Sequence, residues 1–445
     1  CTYSYYMSKG GECIECGEGS QCEGGTSAPR SKKGYYGNPE KVTGDTNVFG
    51  APVLDAEMYE CPESEYCLGD NECIEGMEGR MCSIIKDEYY VFSGSVNKCS
   101  GLGATKGGQI FGTLGAFVSI LAVWYLVNTV FAAWFAGFGI TMDSLQNIAI
   151  LYSFSLNYNT NTLDSYGLRF LLDFALFDVE IFSLNCVSPG WGWEENFYFQ
   201  MIIPFAYAFI LGVFNLFKLA YRIVYPPEQV SKGDKTPTRR MLNADLAKFK
   251  KELFNKWIGS TLEFWAVSHT TICMKTTEVA QCTPYWGGTM MLKEPSVDCG
   301  SSDHTAMVIT ASFMFVFFVV WYPLFTTIYV WRFLPKTPKM HHGWKGYIRG
   351  YWIVEAFSTG LEHGQRNKDT DTKVDFWVDD FRGPFFHWNF IRIWKQTLLV
   401  MTASFLWQYP IAQAALAYSV LNVYSLAHEF CRPYKLSKYD SMETE

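Results

Sequence analysis

Residues 110–140 read IFGTLGAFVSILAVWYLVNTVFAAWFAGFGI, and no charged side chain occurs between Lys106 and Asp143. A bilayer core of roughly 30 Å is crossed by about 20 helical residues. This run is therefore long enough to span a membrane and to tilt within it. Moving outward along the chain, residues 196–217, 304–331 and 396–428 are equally poor in charge. The last run is interrupted by Gln408-Tyr409-Pro410. Proline ends helices, so that run divides into two spans joined by a tight turn. Residues 145–158 and 257–274 are weaker candidates, the second carrying Glu263 and His269 inside it, and they bring the expected number of spans to seven.

The bulk composition hides this. The chain has 445 residues, 49% of them hydrophobic, 17% aromatic and only 18% charged, with a net charge of −8. Residues 1–108 hold 9 Lys+Arg against 17 Asp+Glu, a net of −8, so the rest is balanced at 27 against 27. Nine of the fourteen cysteines also fall in that first stretch. A single soluble globular domain is excluded by the split, and disorder by the apolar content of the remainder. No basic domain exists to hold nucleic acid.

The expected fold is an α-helical polytopic membrane protein of about seven spans, its N-terminus outside and carrying a small disulfide-rich extracellular module. The module covers 1–108 and the multi-pass region 109–436. Spans are placed near 109–138, 144–158, 197–221, 257–274, 305–332, 389–408 and 411–431. Residues 437–445 form a cytoplasmic tail or the start of a continuation. Charge supports this orientation under the positive-inside rule. The inner loop 225–256 has eight basic residues against four acidic, whereas the outer loop 273–304 has two against four. The remaining inner loops are 137–144 and 332–389. Cysteines agree, because disulfides persist on the oxidising side: Cys186, Cys273, Cys282 and Cys299 all fall outside, and Cys431 lies at the inner face. Trp124, Trp134, Trp191, Trp193, Trp321 and Trp331 sit near span ends, where indole rings anchor at the interface. Arg392 and Lys395 enter the sixth span one turn apart on one face, placed to snorkel to the inner surface.

In the module the spacing is Cys13-x2-Cys16-x5-Cys22, then Cys61-x5-Cys67-x5-Cys73-x8-Cys82 and Cys99. So short a stretch, rich in Gly, Glu and Cys, builds little core without cross-links. Zinc is disfavoured, since there is one Cys-x2-Cys pair and no histidine in the first 108 residues. The disulfide candidates are Cys13, Cys16, Cys22, Cys61, Cys67, Cys73, Cys82, Cys99, Cys186, Cys273, Cys282 and Cys299. Thirteen external cysteines leave one without a partner, and Cys1, as the first residue, is the expected orphan. The absence of an initiating methionine and signal peptide leads us to expect a piece of a longer protein.

CIECGEGSQCEGGTSAP with GYYG at 34–37, and CPESEYCLGDNECIEGMEGRMCSIIKDEYY after it, resemble ephrin-receptor-like cysteine-rich repeats, which are related to growth-factor-like (EGF-like) modules. LFDVEIFSLNCVSPGW, KEPSVDCGSSDH, HWNFIRIWKQTLLV and CRPYKLSKYDSMETE are similar to landmarks of a transient-receptor-potential-like multi-pass region. The combined layout resembles that of the protist cysteine repeat modular proteins. The resemblance implies cysteines at two positions that here hold Ile85 and Leu102. It follows that one complete bridge has been lost, with apolar packing near Tyr89, Tyr90 and Phe92 as the substitute.

No nucleophile elbow, phosphate loop, His-Glu-x-x-His or kinase signature occurs, so no catalytic residue, metal or cofactor is expected and the protein reads as non-enzymatic. GLGATKGG at 101–108 lacks P-loop spacing and reads as a stalk. His341, His342, His363 and His387 share an inner loop with Asp369, Asp371, Asp375, Asp379 and Asp380, but without ligand spacing. Glu263 and His269 are the intramembrane polar candidates, although six residues of helix place them on different faces. Arg169, Asp173, Asp178 and Glu180 lie in an amphipathic segment expected to rest on the outer surface beneath the module.

The expected function is to anchor or assemble partners at a cell-surface or organelle membrane through the ectodomain. The expected partners are the lipid bilayer, extracellular proteins and a larger membrane assembly, and not nucleic acid. A cation channel or channel subunit of transient-receptor-potential-like type is the alternative. A seven-span signalling receptor is weaker, because the seventh span has no proline and the sixth lacks Trp-x-Pro. No Asn-x-Ser/Thr acceptor occurs, which argues against glycan-mediated recognition.

Overall fold

The structure is a computed structural model. It describes residues 1–7, 12–25, 27, 29–37, 42–46, 52–54, 58–92, 95–99, 115, 118, 135–154, 172, 175–176, 186, 191–225, 239–285, 288–333 and 388–434. The span expected near 109–138 and the histidine-aspartate loop therefore fall almost wholly outside the described residues, as does the amphipathic segment around Arg169.

The N-terminal region is a chain of small antiparallel hairpins. β1 (Tyr5–Met7) pairs with β2 (Cys13–Glu15), β3 (Ser20–Gln21) with β4 (Arg30–Ser31), and β5 (Tyr35–Gly37) with β8 (Met58–Glu60) around β6 (Val42–Thr46) and β7 (Pro52–Leu54). β9 (Cys67–Gly69) pairs with β10 (Glu72–Cys73), β11 (Met77–Glu78) with β12 (Ile84–Ile85), and β13 (Tyr89–Phe92) with β14 (Ser95–Lys98). Two-stranded sheets this short do not hold themselves together in water. Disulfides Cys1–Cys13, Cys16–Cys22, Cys61–Cys67 and Cys73–Cys82 staple them. Gly76 sits at φ +94°, where a side-chain β-carbon would meet the Tyr89 ring at 2.5 Å, so the turn into β11 accepts only glycine.

The helices form six rods among the described residues: α1 (Phe135–Tyr152), α2 (Trp193–Val224), α3 (Arg239–Glu278), the continuous rod α4 (Ser302–Met314), π-helical turns Phe315–Trp321 and α5 (Tyr322–Phe333), then α6 (Trp388–Phe405) and α7 (Pro410–Cys431). Two stretches, Trp193–Val224 and Ser302–Thr326, are long and apolar enough to cross a membrane by length and composition. α2 and α3 run antiparallel. Arg222 near the end of α2 pairs with Asp245 near the start of α3 at 3.1 Å, and Tyr207 stacks on Phe264 with centroids 4.2 Å apart. The Trp257 and Trp265 indoles donate to the carbonyls of Ala208 and Pro204.

Two expected boundaries move. The helix α1 runs straight through the inner loop expected at 137–144. Asp143, whose charge suggested that loop, is buried and neutralised by α6, so the helix has no reason to stop there. α3 is 40 residues long, about 60 Å at 1.5 Å per residue. It therefore extends well beyond the span expected at 257–274. Between α6 and α7 the break falls at Leu406–Tyr409, with Pro410 at the first turn of α7, where its missing N–H costs nothing.

Two cysteine expectations are corrected. Cys1 is not the orphan, since it bonds Cys13. The cysteine left over on that side of the reckoning is Cys273, which is free and fully buried. α3 continues to Glu278 and so carries Cys273 more than a turn inside the bundle, against Ile150, Leu399 and Val400, out of reach of any partner thiol.

Candidate functional site

Two places concentrate chemistry. The first is a junction where the cysteine-rich region meets a hairpin of the helical region, β15 (Cys282–Tyr285) paired with β16 (Gly288–Met291). Tyr285 and Met290 belong to the same buried cluster as Tyr66, Met77, Met81 and the half-cystines of Cys61–Cys67 and Cys82. Ile85, Val91 and Val96 close that cluster from the side. Ile85 thus packs where the resemblance implied a cysteine, while Leu102 lies outside the described residues. Around this core, Arg80 bonds the Asp298 carboxylate at 2.7 Å and the Pro295 carbonyl at 3.3 Å, and lies 5.0 Å over the Tyr285 ring. Tyr59 packs on Tyr285 with centroids 4.9 Å apart. A covalent link, Cys99–Cys186, adds a second attachment 87 residues apart in sequence, and Cys282–Cys299 braces the hairpin loop.

Cys282, Cys299 and His304 offer side-chain atoms within 4.8 Å of one another, a spacing a metal could use. The thiols are spent on their disulfide, however. His304 Nδ1 accepts from the Gly300 N–H at 3.2 Å, which leaves Nε2 protonated and 3.0 Å from the Val279 carbonyl. The histidine is saturated as a brace, and the trio has no ligand atom to give.

The second place is inside the helices. Asp143 on α1 receives Lys395 Nζ at 2.6 Å and Gln396 Nε2 at 2.7 Å from α6, with an Arg392 guanidinium nitrogen 3.7 Å away. Asn147 donates to it at 3.4 Å. The network continues: Gln396 also donates to Gln146 Oε1, which accepts from Thr270 of α3 as well, and the Gln146 amide donates to the Val267 and Ala175 carbonyls. Asp143, Gln146, Thr270, Lys395 and Gln396 are all buried. One turn further along α6, Leu399 and Val400 meet Ile150, Phe154 and Cys273 in an apolar layer. Beyond that layer polarity returns where Thr277 bonds Ser404 at 2.7 Å, and Gln281 and Gln413 donate to the Ser404 and Ala403 carbonyls.

Arg392 and Lys395 therefore do not snorkel. They turn inward because Asp143 waits on the neighbouring helix, and a buried acid opposite two bases outweighs the reach to water. Glu263 and His269 are not brought together: Glu263 is half-buried, and His269 is fully buried against the Tyr322 ring, centroids 6.4 Å apart, facing the Val319 carbonyl of the π-helical turns. Asn147 serves Asp143 and not Glu263. The Asp143 network was missed from sequence. Its available signal was a lone acid closing a long uncharged run, with an equally lone Arg-x-x-Lys on another span.

A domain of unknown function, DUF7630, matches this chain over residues 58–101. The match starts at β8 and takes in Cys61–Cys67, Cys73–Cys82 and the β13–β14 hairpin, the half of the cysteine-rich region that docks on β15–β16. No curated protein and no solved structure matches the chain.

Proposed function

We propose that the chain is a non-enzymatic membrane protein that assembles partners through a disulfide-held ectodomain rigidly mounted on its helices. The observation that carries this reading is the shared core at the junction: Tyr285 and Met290 are built into the same buried cluster as Tyr66, Met77 and Met81. A module that only needed tethering would hang from a linker, whereas one that shares a core and a disulfide with the helices presents its outer face at a fixed height and angle. In the cysteine-rich region Tyr3 and Leu68 stand 71% and 50% exposed, available as apolar contacts for a partner. The test is amine-reactive cross-linking on intact cells expressing the full chain, against a Tyr3→Glu, Leu68→Arg variant. Discrete cross-linked species that the variant loses support the reading, and a wild-type chain that yields none overturns it.

A cation channel or channel subunit is the second reading, favoured by the Asp143–Lys395 network. Ionisable side chains within spans are costly and by default candidates for an ion path. Currents in planar bilayers that Asp143→Asn abolishes would establish it, and electrically silent bilayers holding folded protein would remove it.

A further inference from the structure

Beside the junction lies a cavity of about 380 Å³, within the size range of small-molecule sites. Three parts of the molecule wall it. Tyr66 and Tyr90 come from the cysteine-rich region, Trp191 and the acids Glu194 and Glu195 from the start of α2, and Glu294 from the loop after β16. Four carboxylates line it, the fourth being Glu63, against one ammonium, Lys293. Glu294 accepts from the Ser296 hydroxyl at 2.5 Å and backbone N–H at 3.3 Å. Burial pushes its carboxyl up from the ordinary range, and the Glu195 charge adds to this against the Ser296 and Ser83 hydrogen bonds. One ring of the aromatic wall already accepts a cation of this chain: Lys275 Nζ lies 5.7 Å over the Trp193 ring.

The geometry points to a binding site for a small organic ammonium, of the choline or alkylamine class, in this cavity. Aromatic faces and carboxylates together select a cation that is itself partly apolar. A bare divalent ion needs six or more converging oxygens at 2.3–2.6 Å in the case of calcium, and among the described residues no three carboxylates here bring their oxygens within 4.8 Å of one another. The bound charge would relieve the repulsion between Glu195 and Glu294 and bridge the cysteine-rich region to α2. The same group can arrive free in solution or as a lipid headgroup, because the cavity opens where α2, one of the two membrane-length helices, begins. The site stands whether or not the ectodomain recruits protein partners.

The test is calorimetric titration of choline into the full chain in phosphatidylglycerol nanodiscs, with empty discs subtracted. Saturable binding is expected, weakened at least tenfold in Glu294→Gln and in Trp191→Leu, with each variant's disulfide map and melting curve showing an intact fold. Repeating the titration in phosphatidylcholine nanodiscs separates the sources: unchanged affinity identifies a soluble ligand, and weakened affinity a headgroup already in place. Absence of saturable binding in phosphatidylglycerol discs overturns the proposal, as does equal affinity in both variants or tight calcium binding that choline does not displace.

Discussion

Lys395 lies 2.6 Å from Asp143 with both side chains almost wholly buried, and Arg392 stands 3.7 Å from the same carboxylate, so removing the acid strands both bases while removing Lys395 leaves the acid one base. Asp143→Asn is expected to cost about 3–5 kcal/mol, and Asp143→Asn combined with Lys395→Met should recover part of that. The check is a double-mutant cycle on thermal unfolding of the purified protein. Costs that simply add would show that the two charges do not act together. Glu294 makes the opposite statement about pH. Its carboxyl is raised by burial, so the folded protein binds its proton more tightly than the unfolded chain does. Stability attached to this group is therefore greatest below the unfolded value, near 4.3 for a glutamate, and is lost as pH rises through the folded value. Glu294→Gln should melt higher than wild type at pH 7 and converge with it near pH 4. A variant that melts lower at pH 7 would contradict this sign.

At the scale of elements, the turn at Gly76 is the tightest requirement of the cysteine-rich region. Gly76→Ala should destabilise it by roughly 1–2 kcal/mol from the left-handed backbone alone, with the Tyr89 contact adding to that, and proteolysis within 58–99 would report it. The break before Pro410 and the helix Trp193–Val224 were legible in sequence, because proline chemistry and unbroken apolarity are local signals. The continuity of α1 was not. A charge in an apolar run reads as a loop unless its partner is known, and the partner lies about 250 residues away. The same limit hid the true length of α3. Its first half is rich in lysine and looks like a loop by charge, yet Arg222–Asp245, Lys256–Glu252 and Arg222 over Phe249 show charged side chains satisfied on and beside a helix. Cysteine counting identified that one thiol lacked a partner but not which, since that depended on how far α3 runs.

For the whole molecule, the −8 of the first 108 residues is concentrated on a region held in place at two points. Losing Cys99–Cys186 removes a cross-link spanning 87 residues, worth up to roughly 4.6 kcal/mol in the chain-entropy account. Cys99→Ser with Cys186→Ser should speed amide exchange in β13–β14 while leaving β9–β10 near wild type, measurable by exchange mass spectrometry on the intact protein. Uniform loss of protection would instead mean that the region folds only as a tethered unit. Sequence placed the cysteine-rich region and the helices correctly as separate compositions, but it offered no sign that they share a core, because Tyr285 and Met290 sit in an outer loop that reads as polar.

That shared core also sets an order of events during synthesis. Arg80 is joined to Pro295 across 215 residues, and at about 5–20 residues per second the ribosome needs roughly 10–40 seconds to cover that distance. The disulfides of the first hundred residues can close early, but the apolar floor of residues 61–85 stays uncovered until the helices in between have been made. Maturation is therefore expected to pass through an oxidised but incompletely packed form, for which a chaperone would compete with β15–β16.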